Sequence, residues 1–129
     1  EICEGKDISI ITWSREVNFS LEAAKTLAEQ GIDAEVLDLR TLVPLDWDAI
    51  VQSVSKTHNA IIVSEEVKRG SFAGELSAQI AEELFDELDA PVERVCGLNI
   101  CSPFSPVLED ENFPHPADIV AAVKRVLNK

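Results

Sequence analysis

Apolar positions along the chain alternate between two rhythms. Ile8 to Thr12 is an unbroken β-rich run of the kind covered on both faces of a sheet. Further strands are predicted at Ala34 to Leu39, Ala60 to Ser64 and Val92 to Val95. Between these runs the spacing becomes helical. Val17, Leu21, Ala24 and Leu27 or Ala28 align over Glu16 to Gln30, with Ser14 placed to cap and Gly31 to stop the helix. A second helix follows Asp46, with Trp47, Ile50, Val51 and Val54 on one face. A third begins near Phe72 and aligns Leu76, Ile80 and Leu84. The last is amphipathic through Ile119, Val120, Val123, Val126 and Leu127. Strand–helix–strand alternation predicts an α/β fold: a mostly parallel sheet, right-handed crossovers and helices on both faces. Gly5-Lys6 is expected to turn a short strand, Glu1 to Glu4, back along the first.

The segment Asp38-Leu39-Arg40-Thr41-Leu42-Val43-Pro44-Leu45-Asp46 is the most informative stretch. It leaves a strand, turns through Pro44 and enters a helix that Asp46 can cap. Arg40 is thereby set at the carboxyl end of a strand, the edge where ligands or neighbouring domains dock in open α/β sheets. Its guanidinium can fork onto a substrate carboxylate or clamp an acidic side chain or carbonyl, and clamping is the better reading. The proline-rich stretch from Ser102 to Pro116 is longer than an idle connector, since loops beyond ~12–15 residues usually carry function or pack on a neighbour.

The chain's 129 residues suffice for one domain, 1–129, with its own core. No apolar run approaches the ~20 residues of a bilayer span. No charged-then-apolar leader is present, which predicts a cytosolic-type protein. The chain contains no methionine, and an opening Glu1-Ile2-Cys3 is expected to belong to something longer. The net charge of −13 disfavours nucleic acid and anionic lipid, which need Lys and Arg at the phosphates. A basic protein partner is the natural complement, although the charge serves solubility equally well. Cys3, Cys96 and Cys101 are odd in number and lack a Cys-x-x-Cys spacing, against both a disulfide framework and a zinc site.

Candidate chemistry is sparse. No glycine-rich phosphate loop can be written. Gly70 and Gly74 bracket a helix start that can hold an anion, but a released turn and close packing explain them better. Ser14 has no nucleophile elbow around it, and Trp13 reads as packing. His58 ends a helix, and His115 lies near Glu109, Asp110 and Glu111 in what reads as a solvated loop rather than a metal site. Glu65 and Glu66, with Lys68 and Arg69 behind them, read as surface charges rather than an acid/base pair. The acidic run is sharper. Glu82/Asp86 and Glu83/Glu87 are like charges four apart, each costing the helix about 0.2–0.5 kcal/mol. With Asp89 and Glu93 they crowd the helix's carboxyl end, where the dipole opposes them. Docking of a basic partner and a merely solvated face remain equal readings.

Several ordered motifs together resemble one family. Gly5-Lys6-Asp7-Ile8-Ser9-Ile10-Ile11-Thr12, the Arg40–Asp46 segment, Val63-Ser64-Glu65-Glu66, Leu88-Asp89-Ala90-Pro91-Val92-Glu93-Arg94-Val95 and Pro103-Phe104-Ser105-Pro106 are similar to the C-terminal, transketolase-type domain of the beta subunit of thiamine-diphosphate-dependent 2-oxo acid dehydrogenases. The resemblance implies a three-layer, five-stranded sheet with one antiparallel strand. It also implies an assembly domain without catalytic, cofactor-binding or metal residues of its own, with thiamine diphosphate and magnesium held elsewhere in the intact enzyme. The implied partners are a second beta subunit, an alpha subunit and the basic subunit-binding domain of a dihydrolipoyl acyltransferase. Asp86, Glu87, Asp89 and Lys129 are the residues expected to meet that basic domain. The intact enzyme would transfer an acyl group from a 2-oxo acid to lipoamide, pyruvate being favoured over branched-chain acids or acetoin. Its compartment would be the bacterial cytoplasm or the mitochondrial matrix. Rival readings are the matching domain of a transketolase or deoxyxylulose phosphate synthase, and a free-standing flavodoxin-like binding module.

Overall fold

The computed structural model describes residues 3–40, 45–67, 72–97 and 113–129. Four strands, β1 (Ile8–Thr12), β2 (Ala34–Asp38), β3 (Ala60–Val67) and β4 (Glu93–Gly97), form one sheet in the order β2-β1-β3-β4. All three pairings are parallel. Ile8 faces Ala34 across one side of β1, and Ser9 faces Ala60 across the other. The register between β3 and β4 shifts between Val63 and Val67.

Among the described residues four helices accompany the strands: α1 (Glu16–Glu29), α2 (Trp47–Thr57), α3 (Phe72–Glu83) and α4 (Pro116–Leu127). They divide between the two faces because alternate strand residues point opposite ways. Ile8, Ile10, Val36, Ile61 and Val63 pack against Ala23 and Leu27 of α1 and Ile119 and Val123 of α4. Ile11, Leu37 and Ile62 pack against Ile50 and Val54 of α2 and Leu76 and Ile80 of α3. Every residue of β1 is buried, which is why its sequence shows no polar alternation. Each large aliphatic side chain so covered contributes about 1.5–3 kcal/mol relative to exposure. The three-layer α/β architecture is the expected one.

Among the described residues the antiparallel segment contributes one bridge. Cys3 pairs antiparallel with Val36, the Val36 N–H donating to the Cys3 carbonyl at 2.9 Å. It lies against β2 rather than β1, because both edges of β1 are already taken by β2 and β3. Glu1 and Ile2 lie outside the described residues. Gly5 permits the close approach: a Cβ there would sit 2.3 Å from the Ala34 carbonyl carbon.

Capping follows the sequence reading at Asp46 and Gly31 and departs from it at Ser14. Asp46 Oδ1 accepts from the Ala49 N–H at 3.2 Å. Gly31, at φ 81°, ends α1, and Pro116 opens α4 while Asp118 accepts the His115 N–H at 2.9 Å. Ser14 does not cap α1. Its φ of 60° turns the chain sharply out of β1, and only its carbonyl engages the helix, accepting from Val17 N–H. The buried stripe of α1 is also rotated by one residue from the expected one, running through Glu16, Ser20, Ala23, Ala24 and Leu27. Among the described residues no helix is long and apolar enough to cross a membrane.

Candidate functional site

The acidic run is shaped by the end of α3. Leu84 and Leu88 turn into the core, at i and i+4, and pull the intervening residues into a 3₁₀ turn, Phe85–Glu87. Phe85 therefore faces outward, 74% exposed, with the exposed side chains of Glu82, Glu83 and Asp86 around it. Two hydrogen bonds fix this turn to the end of α2. His58, in the left-handed conformation at φ 62°, donates from Nδ1 to the Glu87 carbonyl at 2.8 Å. The Asp89 N–H donates to the His58 carbonyl at 2.8 Å. Asp86, Glu87 and Asp89 thus occupy one rigidly held corner where the strands begin. Glu93 is separate from them, since Arg125 of α4 forks onto its carboxylate through Nε and Nη2. That pair also places the carboxyl end of α4 at the same end of the sheet. Lys129 is exposed there, on the opposite face from α3, with its backbone N–H on the Lys124 carbonyl.

Phe85 was not among the residues the sequence singled out. The available signal was an aromatic residue one step past the apolar stripe Leu76, Ile80, Leu84, inside a block of carboxylates.

The other end of the sheet holds a second polar group. Order β2-β1-β3 makes the carboxyl ends of β1 and β3 the topological switch point. There Arg15 Nε donates to Glu65 Oε2 at 2.9 Å, and its guanidinium lies 4.6 Å from the Phe113 ring centre. Glu65 is therefore an ion-pair partner of Arg15 rather than half of a carboxylate pair; the Glu66 side chain, Lys68 and Arg69 lie outside the described residues. Trp13 packs edge-on against Phe72 at 5.7 Å. His115 is no solvated bystander: its ring lies 5.6 Å from that of Phe19. Glu109, Asp110 and Glu111 lie outside the described residues, as do Gly70 and Cys101.

Beside this group Glu16 is 1% exposed, and its Oε2 has no hydrogen-bond partner among the described residues. Burial pushes its carboxyl up to about 7; Glu65 and Asp118 add to the shift, while His115 and Arg15 oppose it. The helical spacing Glu16, Ser20, Ala23, Leu27 carried the signal, hidden because the neighbouring stripe is more apolar.

A third group is fully satisfied. Glu35 on β2 is buried, and it accepts from Ser53 Oγ at 2.5 Å, Gly5 N–H at 3.2 Å and Lys56 Nζ. Burial alone would raise its pKa, but these donors together hold it below the usual value. Leu37, Ala49, Gln52 and these side chains line an open cavity of ≈ 350 Å³ on the α2 face. Arg40 is exposed, with Asp38 at 3.9 Å its ion-pair partner; residues 41–44 lie outside the described ones. Among the described residues no three His, Cys, Asp or Glu side chains converge as a metal site.

Comparison with known proteins agrees with this architecture. The family profile "Transketolase, C-terminal domain" matches residues 1–119. The beta subunit of acetoin:2,6-dichlorophenolindophenol oxidoreductase from Cupriavidus necator is 45% identical over 124 residues, covering 96% of this chain and 37% of that protein. The mitochondrial pyruvate dehydrogenase E1 component subunit beta of Saccharomyces cerevisiae is 46% identical over 127 residues, covering 97% and 35%. The 2-oxoisovalerate dehydrogenase subunit beta of Bacillus subtilis is 40% identical over 124 residues, covering 95% and 38%. The chain thus spans little more than a third of the curated relatives it matches. A solved split-gene transketolase, described as an inactive beta4 tetramer, superposes with a TM-score of 0.81 at 31% identity, over 98% of this chain and 41% of that one. Sequence and superposition agree over nearly every residue, and the chain belongs to the family of transketolase C-terminal domains.

Proposed function

We propose that the chain, as one domain of a longer beta subunit, is the assembly and docking domain of a 2-oxo acid dehydrogenase decarboxylating component. The carrying observation is its 40–46% identity, over nearly its whole length, to beta subunits of acetoin, pyruvate and 2-oxoisovalerate enzymes. The intact enzyme oxidatively decarboxylates a 2-oxo acid, pyruvate first among the choices, and passes the acyl group to lipoamide. Thiamine diphosphate and magnesium would supply that chemistry from outside this domain. The compartment is the bacterial cytoplasm or the mitochondrial matrix.

Within this reading the acidic corner receives the basic subunit-binding domain of the acyltransferase. Asp86, Glu87 and Asp89 supply the field that attracts Lys and Arg, and Phe85 supplies apolar area at its centre. Lys129, at the same end of the sheet, is the remaining contact. A second beta subunit and an alpha subunit complete the assembly.

In the intact enzyme, lysine at positions 86, 87 and 89 is expected to leave decarboxylation with a small artificial electron acceptor unchanged. Acyl transfer through the acyltransferase core should fall at least tenfold. Equal loss of both activities, or of neither, contradicts the docking role.

A further inference from the structure

His58 ends α2 in a backbone conformation that glycine or asparagine adopts more easily. Its φ is 62°, in the left-handed region where a Cβ crowds the backbone. The helix stop itself needs no histidine. The His58 N–H closes α2 on the Val54 carbonyl at 2.7 Å, a bond any residue but proline can make. The ring is therefore the feature that needs a reason. Its Nδ1 reaches the Glu87 carbonyl at 2.8 Å, and a carbonyl only accepts, so Nδ1 carries the proton. The His58 carbonyl meanwhile accepts from the Asp89 N–H at 2.8 Å. One residue thus grips the acidic turn at two points, on either side of Leu88. A single contact would leave a hinge, and the second removes it.

The turn gripped in this way has little to hold itself. Phe85–Glu87 is a single 3₁₀ turn, with the Glu87 N–H on the Leu84 carbonyl at 2.9 Å and the Leu88 N–H on the Phe85 carbonyl at 3.3 Å. Asp86 and Glu87 follow Glu82 and Glu83 by four residues, and like charges at that spacing oppose helical form. Leu84 and Leu88 anchor the two ends of the stretch in the core, which leaves rotation between the anchors open. The Glu87 carbonyl lies at the carboxyl end of the turn, where no further turn supplies a donor, and the imidazole supplies it. Nδ1 also lies 3.8 Å from Glu87 Oε2, at the foot of one of the docking carboxylates.

We propose that His58 is the positioning residue of the acidic corner: its imidazole sets the direction in which Asp86, Glu87 and Asp89 present their carboxylates to a basic partner. This role presupposes the docking proposed above. A preorganised corner binds without first ordering the turn, so the ring acts on affinity more than on the fold as a whole. The carboxylates remain when the ring is removed, so the salt dependence of binding should survive its loss. Asparagine is the informative replacement. Its Nδ2 stands the same number of bonds from Cα as the imidazole Nδ1, and asparagine tolerates the left-handed backbone. It keeps the donor without the ring.

Titration calorimetry of the basic subunit-binding domain into the full chain tests this, alongside amide hydrogen exchange. His58→Gly is expected to bind at least fivefold more weakly than wild type, at low and at high salt alike. Its Glu87, Leu88 and Asp89 amides should lose at least fivefold in protection, with α1 amides unchanged as the control. His58→Asn is expected to stay within twofold of wild type in both measurements. Wild-type affinity in His58→Gly, undiminished protection of those three amides, or an asparagine variant as weak as the glycine one overturns the proposal. The ¹⁵N shifts of the wild-type ring above neutral pH keep the test decisive should the glycine variant fold poorly. The Nδ1–H tautomer is expected, and a ring carrying its proton on Nε2 overturns the assignment. A wild type that fails to bind removes the docking reading and this role together. Binding lost in Asp86→Lys/Glu87→Lys/Asp89→Lys but intact in His58→Gly removes this role alone.

Discussion

Glu35 and Glu16 show how differently one residue type can be used within 20 positions of sequence. Both are buried to 1% exposure. Glu35 meets three donors that hold it below its ordinary value, whereas Glu16 leaves Oε2 without a partner among the described residues and burial raises its carboxyl to about 7. Glu35 therefore stabilises the fold above its ordinary carboxylate value, and that contribution is lost as pH falls through its depressed folded value. Removing a donor strands the charge. Lys56→Met is expected to cost about 1–3 kcal/mol at pH 7, the Lys56 end being partly solvated. The cost should shrink as the pH is lowered and Glu35 protonates; urea unfolding at pH 7 and pH 4 measures both. A cost unchanged between the two would contradict the assignment. Neither glutamate was visible as special in the sequence, since nothing in a run of letters says whether a carboxylate will meet donors from a helix 18 residues away. Gly31 was legible because its requirement is local: a helix stop at positive φ. Ser14 misled for a related reason, its left-handed backbone being set by the exit from β1 rather than by its own side chain.

At the scale of elements, the strands were read more securely than the faces of the helices. Continuous apolar runs such as Ile8–Thr12 admit one interpretation when both faces are buried. Strand ends moved by a residue or more, as β4 did to Glu93–Gly97, because pairing partners rather than composition decide where a ladder stops. The buried stripe of α1 is set by its packing with α4, where Ala23, Ala24 and Leu27 share a core cluster with Ile119, Ala122 and Val123, a tertiary fact with no local sign. The acidic turn was legible as charge but not as shape. Its form depends on Leu84 and Leu88 both reaching the core, which expels Phe85. Leu84→Ala should therefore destabilise the fold by about 2–5 kcal/mol, whereas Phe85→Ser should change it by less than about 0.5 kcal/mol. Chemical denaturation of the two variants checks the contrast. A substantial loss at Phe85 would mean that its ring is part of the core rather than part of the surface.

For the whole molecule, the sheet order places two polar groups at opposite ends. The strand-carboxyl end, where α/β proteins usually bind small ligands, carries the Arg15–Glu65 pair and the buried Glu16. The other end carries the acidic corner, tied by His58 and flanked by the end of α4. A net charge of −13 surrounds both; under the proposed docking, long-range attraction of a basic partner would come from the entire surface and register from the corner. Isothermal titration of the acyltransferase's basic subunit-binding domain into the chain, at low and at high salt, addresses the central claim most directly. The account predicts saturable binding that weakens with salt, loses at least tenfold in affinity and much of its salt dependence in Asp86→Lys/Glu87→Lys/Asp89→Lys, and weakens in Phe85→Ser with the salt dependence retained. Equal affinity in wild type and the triple variant at low salt would contradict it.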